Sequence, residues 1–555
     1  MKLRGLARLA LVILPVAGAA GTAALPQVAR AAPTIIVTTF ADNPSADCTG
    51  SNGCSLRRAV IMANGDTGDV IQLGAGTYDL SIQADSEGND DGTTGDLEIQ
   101  SDMTIQGAGA TQTLIRGVGS PWNDRIIEVD NFSSAPTATI QDLKVTGGND
   151  TGQYGETDGG AILNDFSSLT LHNVIADTNH SDTNGGGVAS NTNSAETFTI
   201  SNTTLSNNTA DGNGGGLSVG GSTSGVDSAS RLFIAGNTAS GSNQADAGGG
   251  GIYDDLGGTG SITFSDIMVV GNHATGMGGG GIYDDSNLSG NRPTLYQRIT
   301  LSSNDAFREG GGFYTAGGFA SLTNATITKN VVTNDIVVAV VGNGGGIAAG
   351  RSGHLTVNNA TINGNSSPGP GGGAAALFTG DQIHLHNTIL VKNTSGAGSS
   401  DCSAQGSPPG VIDSTGYNIV DDNTCALGQA SDREGSSFNP NLGVLQDNTG
   451  PVDGAPGNTS PTLTEALPTG SIAIDTADPA GANNPATDER GVSRPQGTQS
   501  DVGAYEAIPP VFVAPILPAA GNAGSGSQSS TFWLLLILAA ATALGAVGLR
   551  VRARS

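Results

Sequence analysis

The chain has 555 residues, 86 of them glycine, with 13% charged residues, 4% aromatic residues and a formal net charge of −28 at neutral pH. So much glycine excludes a helical repeat, because each one would cost about 1 kcal/mol inside a helix, and so few aromatics exclude a fold built on one large aromatic core. The acidity makes nucleic acid and anionic membrane poor partners and cations good ones.

Lys2, Arg4 and Arg8 precede an apolar run from Leu9 to Ala20, and Ala29-Arg30-Ala31 offers a small-x-small cleavage site. Residues 1–31 therefore read as a secretory signal peptide. All 50 acidic residues lie between 32 and 530, with 15 of the 22 basic ones, so that the body carries a net charge of −35. The four cysteines fall as two local pairs, and in an exported chain the simplest reading is two disulfides, Cys48–Cys54 and Cys402–Cys425.

The segment Cys54-Ser-Leu-Arg-Arg-Ala-Val-Ile-Met-Ala-Asn64 predicts a short helix, with Ser55 as N-cap and Leu56, Val60 and Ala63 on one face. Together with Asp69 to Tyr78, Gly95 to Ile99 and Ile105 to Gly109, it resembles the CSLREA-type N-terminal domain of secreted bacterial β-helix proteins. The resemblance implies a helical cap and first coils over residues 32–115. Where the family pattern has Glu, this chain has Arg58, which loses the reciprocal capping bond and places a positive charge in the first turn. Inside this region Glu87, Asn89, Asp91 and Glu98 set oxygen ligands at positions 1, 3, 5 and 12 around Gly92, as in an EF-hand loop. They are candidate calcium ligands, although Glu stands where Asp is usual and no flanking helices are evident; the alternative is a solvated acidic loop.

Residues 116–395 carry the main repeat. Seven glycine blocks end at Gly187, Gly216, Gly251, Gly281, Gly312, Gly346 and Gly373, and each is followed by a small or apolar residue. Between them recur alternating segments that run into asparagine, at Asn173, Asn202, Asn359 and Asn387, each followed by a second Asn at 179, 208, 365 and 393. Self-similarity at this period means a solenoid or a propeller, and the short period-two strands without aromatic blade signatures favour the solenoid. The predicted fold is all-β: a single-chain right-handed parallel β-helix with an N-terminal helical cap and a C-terminal transmembrane helix. Coils would stack at ~4.8 Å, glycines would turn corners at positive φ, and asparagines at one station would form a hydrogen-bonded ladder. Disorder is excluded because the apolar positions are periodic.

Two near-identical segments, Ile252-Tyr253-Asp254-Asp255 and Ile282-Tyr283-Asp284-Asp285, are continued by Phe313-Tyr314. If the glycine blocks are in register, Tyr253, Tyr283 and Tyr314 stack outward with the aspartates beside them. With Arg308, these tyrosines are the candidate ligand-binding residues, as a sugar-binding strip. Asp254, Asp255, Asp284 and Asp285 are weak catalytic candidates, since carboxylates one coil apart sit near the separation used by retaining glycosidases. The bland alternative is a solvent-exposed ladder. A lyase would need a basic residue and calcium beside a uronate, yet residues 32–530 hold only Lys144, Lys329 and Lys392, far apart in sequence. The six histidines read as strand or turn residues.

Residues 396–507 resemble the choice-of-anchor type of domain that follows such helices in surface proteins, through Gly416-Tyr-Asn-Ile419, Asn439-Pro-Asn-Leu442, Ser471 to Asp475, Asp488 to Pro495 and Asp501 to Glu506. Its Asp488, Arg490, Arg494, Asp501 and Glu506 read as a structural ion-pair network. Residues 508–530 form a Pro/Gly/Ser-rich spacer, in which Leu517 to Gly521 resembles a degenerate sortase signal. Residues 531–549 read as a transmembrane anchor and 550–555 as a cytoplasmic Arg-rich tail.

The sequence thus points to an exported β-helix protein, anchored at the outer face of the cytoplasmic membrane or in the cell wall. Adhesion or binding of an extracellular glycan is the expected role, with a polysaccharide lyase or glycoside hydrolase as the alternative and a structural surface-layer role third. The expected partners are a glycan or cell-surface ligand and the membrane, not nucleic acid, and the only expected cofactor is calcium.

Overall fold

The computed structural model describes residues 33–49, 53–84, 92–119, 122–130, 135–151, 158–193, 195–223, 226–241, 248–288, 292–333, 343–369, 371–376, 380–396, 398–481 and 484–509. They form a right-handed-type parallel β-solenoid of about ten turns, with three long sheets of 19, 12 and 7 strands. The residue after each glycine block sets the register. Val188, Leu217, Ile252, Ile282, Phe313, Ile347 and Ala374 are successive partners in the 12-stranded sheet. Leu97, Ile127, Ile162 and Cys402 hold the same station in coils that lack a full block, so the solenoid extends past the visible repeat at both ends.

Each glycine in a block has its own reason. Gly185 and Gly310 turn the corner at φ of 65° and 57°, a conformation that costs a side chain about 1–2 kcal/mol. At Gly186 the constraint is space, because a Cβ there would stand 2.2 Å from the Thr209 carbonyl oxygen of the next coil.

Asn179, Asn208, Asn237, Asn272, Asn304, Asn330, Asn365 and Asn393 form one buried column. Each side-chain amide donates to the next Oδ1 at 2.9–3.0 Å, and the column ends on the carboxyl of Asp401, 2.8 Å from Asn393 Nδ2. The other predicted station, Asn173, Asn202, Asn359 and Asn387, lies in the left-handed region at φ of 47–53°, which a short amide tolerates. Inside, Ile, Leu and Val ladders fill the coil, each fully buried member contributing roughly 1.5–3 kcal/mol.

The helix Leu56–Ala63 has Ser55 as N-cap, its Oγ accepting from Arg58 N. Arg57, within the Cys54-Ser-Leu-Arg segment but given no role by the sequence, is fully buried, paired with Asp42 at 2.6 Å and donating to the carbonyls of Gly92, Gly95 and Asp96. At the helix end Asn64 reaches the edge of strand Leu97–Ile99, donating to Glu98 O and accepting from Gln100 N.

Cys48 is bonded to Cys54 and Cys402 to Cys425. After Glu434 the chain leaves the coil and returns along the outside of the 19-stranded sheet. Its antiparallel hairpin, Leu445–Ala455 with Asn458–Glu465, reaches back to Thr204, whose Oγ1 accepts from Ala455 N at 2.9 Å. Glu465 accepts from Thr328 and Asn363, and the buried Glu489 accepts from Thr300 and Thr326. Arg490 pairs with Asp488 at 2.6 Å and Arg494 with Glu506 at 3.0 Å, all four side chains buried. These charges hold the returning segment together. Among the described residues no helix is long and apolar enough to cross a membrane. The expected signal peptide, sortase-like motif, anchor and tail lie outside the described residues.

Candidate functional site

Strands that start one residue after a glycine block must place their second residue outward, and in three adjacent coils that residue is tyrosine. Tyr253, Tyr283 and Tyr314 are register partners, with ring centroids 5.3 and 5.1 Å apart. Two of the blocks have four glycines rather than three, and the next coil leaves no room for a side chain at the extra residue. A Cβ at Gly248 would stand 2.0 Å from Tyr283 Cδ1, and one at Gly278 would stand 2.6 Å from the Glu309 carbonyl oxygen and 3.0 Å from Tyr314 Cδ1.

The same packing corrects the expected platform. Tyr283 and Tyr314 are 3% and 1% exposed, recessed against glycine. Arg351 extends over them, its Nη1 3.4 Å from the Tyr283 hydroxyl and its Nη2 3.6 Å from Met277 Sδ. Only Tyr253 remains half-buried.

The aspartates also divide. Asp254 and Asp284 are not on the ligand face: strict alternation turns them into the coil, where both are fully buried. The Tyr296 hydroxyl stands 2.9 Å from Asp284 Oδ2 and 3.3 Å from Asp254 Oδ2. Solvent does not reach them, and they form a pair inside the core. Burial, and for Asp254 also its neighbour Asp284, push both carboxyls up, Asp284 to about 7.

Asp255 and Asp285 face outward. Burial and then Asp255 push Asp285 up to about 6, opposed by Arg351 and a hydrogen bond from Tyr253. Burial also raises Asp255. Glu309, 5% exposed, bridges through its backbone to Gly278 and Asn343, and burial pushes it up to about 7 against Arg308 and Arg351. The outer site is therefore Tyr253, Asp255, Asp285, Arg308, Glu309 and Arg351. Hydroxyl, carboxyl and guanidinium groups converge there, able to bind sugar hydroxyls or to exchange a proton. Glu309 was legible only by aligning blocks, as a charge where the neighbouring coil has Gly278. Arg351 sits in a turn at φ of 55° and had no sequence signal.

Of the calcium candidates, Glu87, Asn89 and Asp91 lie outside the described residues. Glu98 sits mid-strand, in register with Glu128. Ligand atoms of Asp96, Glu98 and Glu128 lie within 4.8 Å of one another, all three residues buried. Arg125 pairs with Glu128 and lies 3.8 Å from Asp96 and 3.6 Å from Asp150, while Asp96 Oδ2 has no hydrogen-bond partner. The three carboxylates are an all-oxygen donor set of the kind a hard cation takes, and in this structure it is the Arg125 guanidinium that balances their charge. His180, Asp182 and Asp211 form a second, more exposed group.

By sequence, no protein-family model and no curated protein matches the chain. Among solved structures, the chain is similar to the Azotobacter vinelandii mannuronan C-5 epimerase AlgE4 A-module, at 15% identity and a TM-score of 0.34, covering 71% of this chain and 93% of that one. It is also similar to pectate lyase Pel9A, at 14% identity and a TM-score of 0.34, covering 86% and 96%. The assignment to parallel β-solenoids rests on the strand pairing above, not on these overlays.

Proposed function

We propose that this chain is an exported, surface-anchored β-helix protein that binds an extracellular glycan on the outer face of its 12-stranded sheet, at Tyr253, Asp255, Asp285 and Arg351. The observation that carries the reading is the pairing of outward carboxylates with Tyr253 on one side and a guanidinium on the other. Carboxylates and arginine hydrogen-bond sugar hydroxyls in fixed directions, and a half-buried tyrosine offers apolar area with a polar tip. Export and anchoring rest on residues 1–31 and 531–549; two disulfides fit an oxidising compartment. The helix Leu56–Ala63 serves as the solenoid's N-terminal cap, and calcium is held by Asp96, Glu98 and Glu128.

The test is binding of the intact protein to a panel of immobilised neutral and acidic polysaccharides, compared with Asp255→Asn/Asp285→Asn. Binding that is lost in the variant supports the site, and binding that survives unchanged removes it. A second reading, cleavage of the bound glycan, is favoured by one observation: Asp285 and Glu309 are pushed up to about 6 and about 7, suited to proton transfer near neutral pH. Release of reducing ends from any bound polysaccharide, abolished by Glu309→Gln, would establish it.

A further inference from the structure

The 19-stranded sheet presents a separate exposed surface, whose side chains form two rows along the solenoid. In the early coils these rows are mostly hydroxyls. One runs Thr139, Thr170, Thr199, Ser228, Thr263, and the other includes the partners Thr137 and Ser168. Small β-branched and hydroxyl residues are what a solvated sheet face ordinarily carries.

Late in the solenoid the composition changes. The outer row becomes Phe319, His354, Gln382 and the inner one Thr356, His384, Asp413. The Phe319 and His354 rings are stacked, 4.5 Å between centroids at 8°. His384 is held between Asp413, bonded at Nδ1, and the Gln382 side-chain oxygen, 3.2 Å from Nε2. Pro293, Phe319, His354, Thr356, Gln382 and His384 line a cavity of 520 Å³, within the range of about 300–1,000 Å³ usual for ligand sites. These groups point away from the core, so packing of the coil does not require them.

We propose that this groove is a second carbohydrate-binding site, taking a segment of a neutral glycan that lies across three coils. Ring edges supply apolar contact for the C–H faces of a sugar, while the Thr356 hydroxyl and the Gln382 amide nitrogen, its oxygen being held by His384, supply hydrogen bonds for its hydroxyls. Neutrality follows from the lining. Among the described residues no Lys or Arg lines the cavity, and the Asp413 carboxylate beside it is already paired with His384, so no described group there would hold a uronate. The inference goes beyond the tyrosine-face reading, because it uses another sheet and other residues.

The experiment is isothermal titration of the full chain with three neutral probes, cellohexaose, mannohexaose and chitohexaose, and one anionic probe, trigalacturonate. Phe319→Ser/His354→Thr restores the residue types of the early coils, and Gln382→Ala alters the same wall with less effect on packing. Binding of a neutral hexasaccharide that weakens about tenfold in Phe319→Ser/His354→Thr, two ring contacts being worth that much, and that also weakens in Gln382→Ala, at unchanged circular dichroism and Tm in both, is the expected result. Asp255→Asn/Asp285→Asn should leave this binding intact, which separates the two sites. No neutral probe bound by the wild-type chain, equal binding by Gln382→Ala, or binding of trigalacturonate alone would overturn the proposal.

Discussion

The hydroxyl of Tyr296 lies 2.9 Å from the carboxyl of Asp284, sealed inside the coil. A hydroxyl has one proton to give, and Asp254 competes for it at 3.3 Å, so the pair is stable only if one carboxyl keeps its own proton.

That requirement sets a pH dependence. Asp284 rises from an ordinary 3.8 to about 7, so in this window the folded state binds the proton and the unfolded chain does not. Stability from this pair is fully present below about pH 4 and is lost as pH rises through about 7. Urea unfolding of wild type should weaken between pH 4.5 and 8. Asp284→Asn, which supplies its own donor, should flatten that slope; an unchanged slope would refute the assignment.

The asparagine column makes a second prediction. Replacing Asn272 by Ala removes the acceptor for both the backbone N–H and the side-chain amide of Asn237 and the donor to Ile234 O. Unsatisfied buried groups cost about 1–3 kcal/mol each, so Asn272→Ala should destabilise by at least about 3 kcal/mol. Exposed Asn207→Ala, one residue before the column, should cost far less.

Gly248 and Tyr283 are coupled. Gly248→Ala places a methyl 2.0 Å from the Tyr283 ring and should lower Tm by several degrees, as overpacking of about 1–3 kcal/mol does. In Gly248→Ala/Tyr283→Ala the clash is absent, so the two losses should be less than additive. Strict additivity would show that the fourth glycine serves another purpose.

Arg351 opposes the upward shifts of Asp285 and Glu309. If glycan binding needs Asp285 ionised, affinity should rise with pH through about 6. Arg351→Ala should then move that midpoint upward as well as weaken binding; a midpoint that stays in place would mean that another group titrates.

Calcium should raise Tm, and chelation lower it, if Asp96, Glu98 and Glu128 hold the ion. Glu98→Gln/Glu128→Gln should abolish the response. A calcium-dependent Tm that persists in this variant would place the ion elsewhere.

The parts of the fold that obey a period were legible from residues alone. Glycine blocks fixed the register of Ile252, Ile282 and Phe313, and the asparagine stations gave the column, because both recur wherever one coil stacks on the next. Alternation also implied that Asp254 and Asp284 turn inward; the expectation of four aspartates beside the tyrosines did not carry the period one residue further. Arg57, Arg351 and Glu489 had no such signal. Their partners lie far off in sequence, 68 positions for Arg351 and Tyr283 and 189 for Thr300 and Glu489, and contacts made once leave no repeat to read.

A solenoid is ordinarily a row of neighbours, each coil held only by the next, free to fray from either end. Here the returning segment touches Thr204 through Ala455, Thr300 through Glu489 and Asn363 through Glu465. It acts as a splint: the terminal coils cannot peel off without first lifting a strand that is also fastened to the middle. Mechanical load applied near Ile508 would therefore be shared among several coils at once rather than falling on the last one.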